Sequence, residues 1–380
     1  MRKGNSKFSL LAGVFALSCL VTIATLFCLN PKKAEEEPAQ PTEPVVTSQT
    51  LDEKVAEKIA NMTIDEKIGQ LIFARVPAEN ALRELNKYHF GGYILFGRDV
   101  ENETLASVRM KVDGWQNASA TPMFIGIDEE GGIVSRLSYA GLVKPVFKSP
   151  QELFNEGGMN LVLSEESRKI NVLKRIGVNV NFSPVADTCT DENSFIYERT
   201  FGKDAAATAE YIASLVSVYE NSGVSATLKH FPGYGNNLDT HSGIAIDERT
   251  LDSFRASDFL PFTAGIGAGA NFVMVSHNIV KNIDAENPAS ISPEMHRILR
   301  EELDFDGIII TDDLAMDAIA EFYRGEQPAA VQAVLAGNNM LIVSDYATAF
   351  DQIKAACING VLSEKDIEKL IAPVIKLKIQ

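Results

Sequence analysis

The sequence predicts an α/β fold, a single (β/α)8 TIM barrel that is preceded by an N-terminal apolar membrane or signal segment. Two patterns indicate this fold. From residue 51 onward, short apolar segments alternate with helical segments, and nearly every apolar segment is followed by a charged residue or a histidine. Segments that are apolar throughout are typical of strands in parallel sheets, which are buried on both faces.

Eight segments have the character of such strands. Helical patterns lie between them, and several of these end in a glycine that suits a helix C-terminus. Eight strand–helix units favour a barrel over a doubly wound sheet, whose Gly-x-Gly-x-x-Gly motif follows none of the strands. The predicted strands are residues 69–73, 92–96, 123–127, 179–183, 224–228, 272–276, 307–311 and 340–344.

The first 50 residues differ from the rest. Three basic residues precede an uncharged apolar run of 22 residues, 8–29, and about 20 residues are enough to span a bilayer. Basic residues before the run favour a cytoplasmic N-terminus and an extracytoplasmic remainder. We expect residues 1–29 to be an uncleaved signal anchor, with a cleaved signal peptide as the alternative and lipidation at Cys19 or Cys28 less favoured.

The remaining organisation follows from composition. Residues 30–50 are rich in proline and glutamate and predict a flexible acidic linker, which leaves residues 51–380 as the catalytic domain, anchored to the membrane or secreted. The net charge of −16 argues against a nucleic-acid partner. Cys189 and Cys357 are far apart and lie in no Cys-x-x-Cys motif, so neither a disulfide framework nor a zinc site is indicated.

Charged residues and histidines concentrate where the predicted strands end. Active sites of such barrels lie at the carboxyl ends of the strands, whereas the turns that lead into these strands are short and glycine-rich. The sequence therefore predicts a catalytic face at the carboxyl ends. The residues at these ends are Arg98, Asp99, Asp128, Glu129, Glu130, Asp187, Lys229, His230, His277, Asp312, Asp313 and Asp345.

The segment 229–243, KHFPGYGNNLDTHSG, carries two parts of the predicted site. Lys229 and His230 end the fifth strand, and Asp239 and His241 follow a Pro-Gly turn. A carboxylate that contacts an imidazole sets its tautomer and stabilises its cation. A polar loop without chemistry and a metal site at His230, Asp239 and His241 are the alternatives, although no familiar metal-ligand spacing is present.

The seventh strand ends in two carboxylates. Asp313 is expected to cap the following helix, and Asp312 to point into the mouth of the barrel. A carboxylate and a proton donor facing one cavity suggest glycoside chemistry, in which the first attacks the anomeric carbon and the second protonates the leaving oxygen. Sugar hydroxyls would be held by charged groups at Asp128, Arg199, Lys229 and His230.

These segments, in this order, resemble the glycoside hydrolase family 3 β-N-acetylhexosaminidases. The resemblance runs from residue 62 to about residue 343, and KHFPG, the downstream Asp-x-His and DGIIITDDL together carry it. It implies that Asp312 is the nucleophile and that His241, assisted by Asp239, is the general acid/base. Sugar binding would fall to the Asp of the Asp-x-Glu-Gly-Gly motif, the Arg of the ERTFG segment and the Lys-His pair, which are the four residues named above.

The resemblance also implies an activity. It predicts a retaining exo-β-N-acetylglucosaminidase that removes terminal GlcNAc from cell-wall (peptidoglycan) fragments through a covalent glycosyl-enzyme, as a monomer without metal or organic cofactor. Departures from the family pattern are Tyr234, Asn236, Asn237 and Asn339. A phosphorylase using the same site and a non-catalytic wall-glycan-binding protein are the alternatives.

Overall fold

Eight parallel strands form the central sheet of the computed structural model, which describes residues 49–235, 245–316, 319, 323 and 325–380. Strands that follow one another in the chain are neighbours in the sheet, and β1 also pairs with β8. A single bridge between Ile310 and Met340 joins β7 to β8, so the barrel is nearly closed. Strands β1 to β8 are Ile72–Arg75, Gly92–Leu95, Phe124–Ile127, Val180–Asn181, Ser225–Phe231, Phe272–Val275, Ile308–Thr311 and Leu341–Val343.

The α/β barrel expected from the sequence is thus confirmed, and each predicted strand overlaps an observed one. The first was misplaced, because its opening residues belong to the helix Ile64–Gln70. Thr63 and Glu66 form a reciprocal capping box that starts this helix. Strand β1 therefore begins at Ile72 and ends at Arg75, which places an arginine at the mouth of the barrel.

Helices connect the strands, and their caps follow the sequence. Gly177 and Gly337 end helices with φ angles of 80° and 110°, which only glycine adopts at little cost. The long helix before β4 is interrupted at Gly157 and Gly158, where the backbone leaves helical geometry. The α-helices whose bounds the structure describes are Leu51–Ala60, Ile64–Gln70, Ala81–Tyr88, Gly97–Val100, Leu105–Ala118, Arg136–Tyr139, Pro150–Ile176, Ala205–Tyr219, Leu251–Ala256, Phe259–Gly267, Pro293–Arg297, Ala329–Ala336, Tyr346–Ile358 and Glu364–Ile379.

Large side chains fill the barrel interior beneath the strand ends. The rings of Phe73 and Phe182 meet edge to face with centroids 5.3 Å apart, and those of Phe124 and Phe272 do the same at 5.3 Å. Edge-to-face pairs add to the free energy gained by burying the rings. The interior is therefore a packed core that supports the polar groups at the carboxyl ends.

The N-terminal predictions fall outside this part of the chain. Among the residues that the structure describes, no helix has both the length and the apolar character needed to cross a bilayer. The apolar run 8–29 and the linker up to residue 48 lie outside the described residues. The anchor, the linker and the domain boundaries remain predictions.

Candidate active site

A cavity of about 300 Å³ opens at the carboxyl ends of the barrel strands. Five of the seven predicted site residues line it: Asp128, Arg199, Lys229, His230 and Asp312. They lie far apart in the sequence, and the barrel brings them together. Four of them lie at strand ends, as expected, whereas Arg199 lies in the longer loop after β4. The other two predicted residues, Asp239 and His241, lie outside the described residues.

A short hairpin after β3 carries Glu130, and Asp128 directly precedes it. Its antiparallel strands are Glu129–Gly131 and Val134–Ser135. At Gly131 φ is 101°, and a Cβ there would lie 2.3 Å from the Lys148 carbonyl oxygen. Only glycine fits this close approach, so the Gly-Gly pair turns the chain directly behind Asp128 and Glu130.

Lys229 lies at the centre of a buried group of charges. Its Nζ is 2.8 Å from Asp128 Oδ1 and 2.7 Å from Glu130 Oε1, and the residue is only 1% exposed. Although burial disfavours its charge, the two carboxylates raise the pKa of Lys229. The ammonium therefore remains charged and is fixed in one position.

Arg199 binds the same glutamate from the other side. Its Nε and one terminal nitrogen donate to the two Glu130 oxygens at 2.9 and 2.7 Å. Burial alone would raise the pKa of Glu130, but Arg199 and Lys229 hold it well below the usual range. Glu130 is thus an anion that positions both cations. Its two oxygens pair with two nitrogens of Arg199 in a fork-on-fork geometry, which restricts the motion of the arginine side chain.

His230 is held in one tautomer by its two neighbours. Its Nδ1 is 2.7 Å from Asp187 Oδ2, and its Nε2 is 3.1 Å from a terminal nitrogen of Arg199. A carboxylate only accepts and a guanidinium only donates hydrogen bonds. The proton therefore lies on Nδ1, and Nε2 is an acceptor facing Arg199.

Asp187 also fixes the backbone of the segment that follows β5. Its Oδ2 accepts from the His230 N–H at 3.0 Å, and its Oδ1 accepts from the Tyr234 N–H at 2.8 Å. The residue is fully buried. Asp187 was expected only as a charged residue at a strand end, and the structure shows that it positions His230.

Asp312 follows β7 and lines the cavity. Its N–H donates to the Val275 carbonyl at 3.0 Å, and its Oδ1 accepts from the Asp313 N–H at 2.8 Å. The Asp313 carboxylate accepts from Ser344 Oγ at 2.6 Å and from the Ala315 N–H at 3.0 Å. Asp313 thus ties the end of β7 to the end of β8, a role that the sequence did not indicate.

Other polar residues at strand ends have structural roles. Asp99 accepts from the Phe96 N–H at 2.8 Å, and Asp345 caps its helix by accepting from the Thr348 N–H at 3.2 Å. His277 is buried, with Nδ1 2.7 Å from Ser290 Oγ. Position at a strand end alone therefore does not show that a charged residue belongs to the active site.

Two arginines of the cavity were not among the predicted site residues. Arg75 ends β1 and Arg136 follows the hairpin, and both line the cavity. The misplaced boundary of the first predicted strand hid Arg75 as a strand-end residue. Arg136 follows Asp128 by eight residues in the sequence, and this proximity was the only local indication of its place. In the structure it donates to the Asp128 carboxylate at 3.3 Å.

Glu129 makes the stability of this region depend on pH. Burial raises its pKa from 4.5 to about 7, so the folded state keeps a proton that the unfolded chain releases. This contribution to the free energy of unfolding is fully present below pH 4.5 and is lost as pH rises through about 7.

Glu129→Gln is expected to remove this dependence, because the amide stays neutral at every pH. Between pH 4.5 and 8 the wild type should lose up to about 3 kcal/mol more unfolding free energy than the variant. Urea unfolding of both proteins at several pH values measures the difference. Parallel pH profiles would show that Glu129 is ionised in the folded protein.

Comparisons with known proteins agree with this geometry. The family described as "Glycosyl hydrolase family 3 N terminal domain" matches residues 63–377. A protein named beta-hexosaminidase from Stenotrophomonas maltophilia (strain K279a) is 38% identical over 232 residues, which are 60% of this chain and 68% of that protein. A beta-hexosaminidase from Nitrosomonas eutropha (strain DSM 101675 / C91 / Nm57) is 33% identical over 269 residues, 69% of this chain and 76% of its own.

A solved structure extends the similarity to three dimensions. The glycoside hydrolase family 3 beta-N-acetylglucosaminidase from Paenibacillus sp. str. FPU-7 superposes with a TM-score of 0.77 and 30% identity over 84% of this chain. The present chain spans 62% of the Paenibacillus chain, which is less than two thirds of its length. The relatives are glycosidases, and the match of the family over most of the barrel shows that this chain, too, is a glycosidase and belongs to glycoside hydrolase family 3.

Proposed function

We propose that the protein is a retaining exo-β-N-acetylglucosaminidase that removes non-reducing terminal GlcNAc from peptidoglycan fragments. The observation that carries this proposal is the cavity itself, in which Asp312 faces the buried group formed by Asp128, Glu130, Lys229 and Arg199. Fixed charges of both signs beside one carboxylate suit a substrate that is rich in hydroxyl groups.

The proposed reaction has two displacements, each of which inverts the configuration at the anomeric carbon. Asp312 attacks the anomeric carbon and forms a glycosyl-enzyme while the leaving oxygen takes a proton, and water then releases the sugar with retained configuration. We assign the proton transfer to His241, oriented by Asp239. A neutral imidazole avoids a second anion beside the nucleophile, and its ordinary pKa near 6.5 suits proton transfer around neutral pH.

The charged groups that line the cavity together with Asp312 are prearranged to bind the sugar. The salt bridges of Lys229 and Arg199 fix these side chains before substrate arrives, so little conformational entropy is lost on binding. A cavity of about 300 Å³ lies at the lower end of the range for small-molecule sites. This size favours one terminal sugar over an extended chain, which supports exo action.

The proposed location follows from the first 50 residues. A basic start, 22 uncharged apolar residues and an acidic linker favour a catalytic domain held outside the cytoplasm or secreted. Peptidoglycan fragments are found there. Fractionation of cells that express the full chain tests this location, and enzyme found only in the cytoplasm would contradict it.

Aryl glycosides test the activity directly. We expect hydrolysis of aryl β-GlcNAc and at least about 100-fold slower hydrolysis of aryl β-glucoside, because a site that hydrogen-bonds the acetamide leaves its polar groups unpaired when the acetamide is missing. Similar kcat/KM values for both would contradict the assignment to N-acetylglucosamine. Tight binding of GlcNAc without turnover would indicate a wall-glycan-binding protein instead.

A further inference from the structure

Arg249 forms hydrogen bonds to the chain on both sides of the proposed acid/base pair. The leading flank, residues 233–235, precedes this pair in the sequence, and the trailing flank, residues 245–247, follows it. The Nη2 of Arg249 donates to the Gly233 carbonyl at 3.1 Å and to Asp247 Oδ2 at 2.7 Å. One nitrogen thus spans the two flanks, although Arg249 is not among the residues that line the cavity.

Two buried carboxylates and an aromatic ring hold Arg249 in this position. Its Nε donates to Asp247 Oδ2 at 2.9 Å and its Nη1 to Asp258 Oδ2 at 2.8 Å, and both aspartates are almost fully buried. Burial raises the pKa of Asp258 to about 6, so this carboxyl is still an anion at neutral pH. The guanidinium carbon lies 4.2 Å from the centroid of the Phe254 ring. Paired hydrogen bonds between charged groups therefore fix the direction of the arginine.

The leading flank packs directly against this arginine. Gly233 and Gly235 have φ angles of 113° and 56°, which glycine adopts at little cost. A Cβ at Gly233 would lie 2.4 Å from Asp258 Oδ1, and one at Gly235 would lie 2.8 Å from the guanidinium carbon of Arg249. The two glycines therefore allow a backbone approach that a side chain at either position would prevent.

Each flank is also fixed to the barrel by backbone hydrogen bonds. In the leading flank, the Tyr234 N–H donates to Asp187 Oδ1 at 2.8 Å. In the trailing flank, the Ala245 carbonyl accepts from the Ile279 N–H at 2.8 Å. The first contact ties the chain to the end of β4 and the second to the segment after β6. Arg249 connects these two attachments through its side chain.

The spacing of the flanks limits where the residues between them can lie. Asp239 and His241 are in residues 236–244, which leave one flank and enter the other. A general acid must come within hydrogen-bond reach of the oxygen that it protonates. A misplacement of about 1 Å can cost on the order of 100-fold in rate. A residue that fixes both flanks can thus affect proton transfer without contacting the substrate.

We propose that Arg249 is a positioning residue for the proton-transfer step. It fixes the two flanks relative to each other and thereby the place from which His241, oriented by Asp239, reaches the leaving oxygen. This inference rests on the proposed function, which assigns the proton transfer to His241. Arg249 acts through the backbone and through Asp247, and it has no contact with the reacting atoms.

The dependence of the rate on the leaving group separates this role from a general structural role. Dinitrophenolate leaves without a proton, whereas phenolate is protonated as its bond to C1 breaks. We expect Arg249→Gln to lower kcat/KM for phenyl β-GlcNAc by about 10- to 100-fold, and for dinitrophenyl β-GlcNAc by less than about threefold. His241→Ala should show the same pattern with a larger loss. Arg249→Lys, which keeps the charge without the planar fork, should give an intermediate loss.

Azide provides a second measurement of the same step. Water attacks the glycosyl-enzyme slowly when no base removes its proton, whereas azide needs no base. A terminal nitrogen of azide bonds to C1 as the bond from C1 to Asp312 breaks, which yields the β-glycosyl azide and the free carboxylate. Added azide should therefore raise kcat for the dinitrophenyl substrate in Arg249→Gln and form this product, and it should leave kcat of the wild type unchanged.

Two further variants control for charge and for folding. Arg255 is 46% exposed and pairs with Glu302 at 2.6 Å, so Arg255→Gln should leave both kcat/KM values unchanged. Arg249→Gln leaves the buried Asp258 without its cation, which destabilises the fold. Adding Asp258→Asn removes that anion and should restore stability. The double variant is expected to keep the dependence on the leaving group, and the unfolding temperature of each protein shows whether it is folded.

The outcomes distinguish failure of this inference from failure of the proposed function. Equal losses for both leaving groups in Arg249→Gln, without acceleration by azide, would overturn the role of Arg249. If aryl glycosides of another sugar are cleaved and those of GlcNAc are not, the proposed substrate is wrong. The same comparison on that sugar still tests Arg249, because only the leaving group is varied. A leaving-group dependence in Arg249→Gln but not in His241→Ala would overturn the assignment of His241 and support a role of Arg249 in proton transfer.

Discussion

Asp312→Asn is expected to lower turnover of aryl β-GlcNAc by about 10⁴-fold or more, as loss of a covalent nucleophile does in other enzymes. The amide cannot form the glycosyl ester that the two-step mechanism requires. Asn has the size of Asp and can still accept the hydrogen bond from the Asp313 N–H, now 2.8 Å long. The fold should therefore be kept, and steady-state kinetics with a check of the unfolding temperature measures the loss.

The neighbouring carboxylate is the matched control. Asp313 already accepts from Ser344 Oγ at 2.6 Å, so Asp313→Asn should cost stability more than it costs chemistry. With Asp312→Ala, added azide can enter where the carboxylate was and should give the α-glycosyl azide. Turnover by Asp312→Asn at the wild-type rate would refute the nucleophile assignment.

The second large effect concerns stability. Lys229→Met should lower the free energy of unfolding by about 3–5 kcal/mol, because it leaves two buried carboxylates without their shared cation. Asp128 and Glu130 lie 2.8 and 2.7 Å from the Lys229 ammonium. GlcNAc binding should weaken as well, and urea unfolding together with inhibition by GlcNAc measures the two losses.

Two further variants show whether burial causes this loss. Lys148→Met removes an ion pair with Glu156 whose side chains are 41% and 50% exposed, and should cost less than about 1 kcal/mol. Adding Asp128→Asn to Lys229→Met removes one uncompensated anion and should recover part of the stability. Equal losses for Lys229→Met and Lys148→Met would contradict the role given to the buried charges.

Much of the fold could be predicted from the sequence because the apolar runs and the helix-ending glycines indicated the same order of strands and helices. Apolar runs marked the buried strands, and glycines such as Gly177 and Gly337 marked helix ends with positive φ. The start of β1 was predicted wrongly because two sequence patterns assign the same residues to different elements. Residues 69–73 are as apolar as a strand, but the Thr63–Glu66 capping box commits Gly69 and Gln70 to a helix.

Candidate residues of the site could be predicted from the sequence, but the contacts between them could not. Position at a strand end placed Asp128, Lys229 and Asp312 at one cavity, and it gave the same prominence to Asp99 and Asp345, which cap helices. What separates the two groups is pairing over long sequence distances, such as that of Glu130 with Arg199. No local pattern encodes such a contact, which is why the position of Glu130 between Lys229 and Arg199 was missed.

Trapping the glycosyl-enzyme tests the central claim most directly. A GlcNAc donor with a good leaving group and a fluorine that slows the second step should leave one sugar on the protein. Mass spectrometry of the digested protein should then find this sugar on Asp312, and no adduct on Asp312→Asn. An adduct on another carboxylate, or full turnover through an α-configured product without any adduct, would contradict the account.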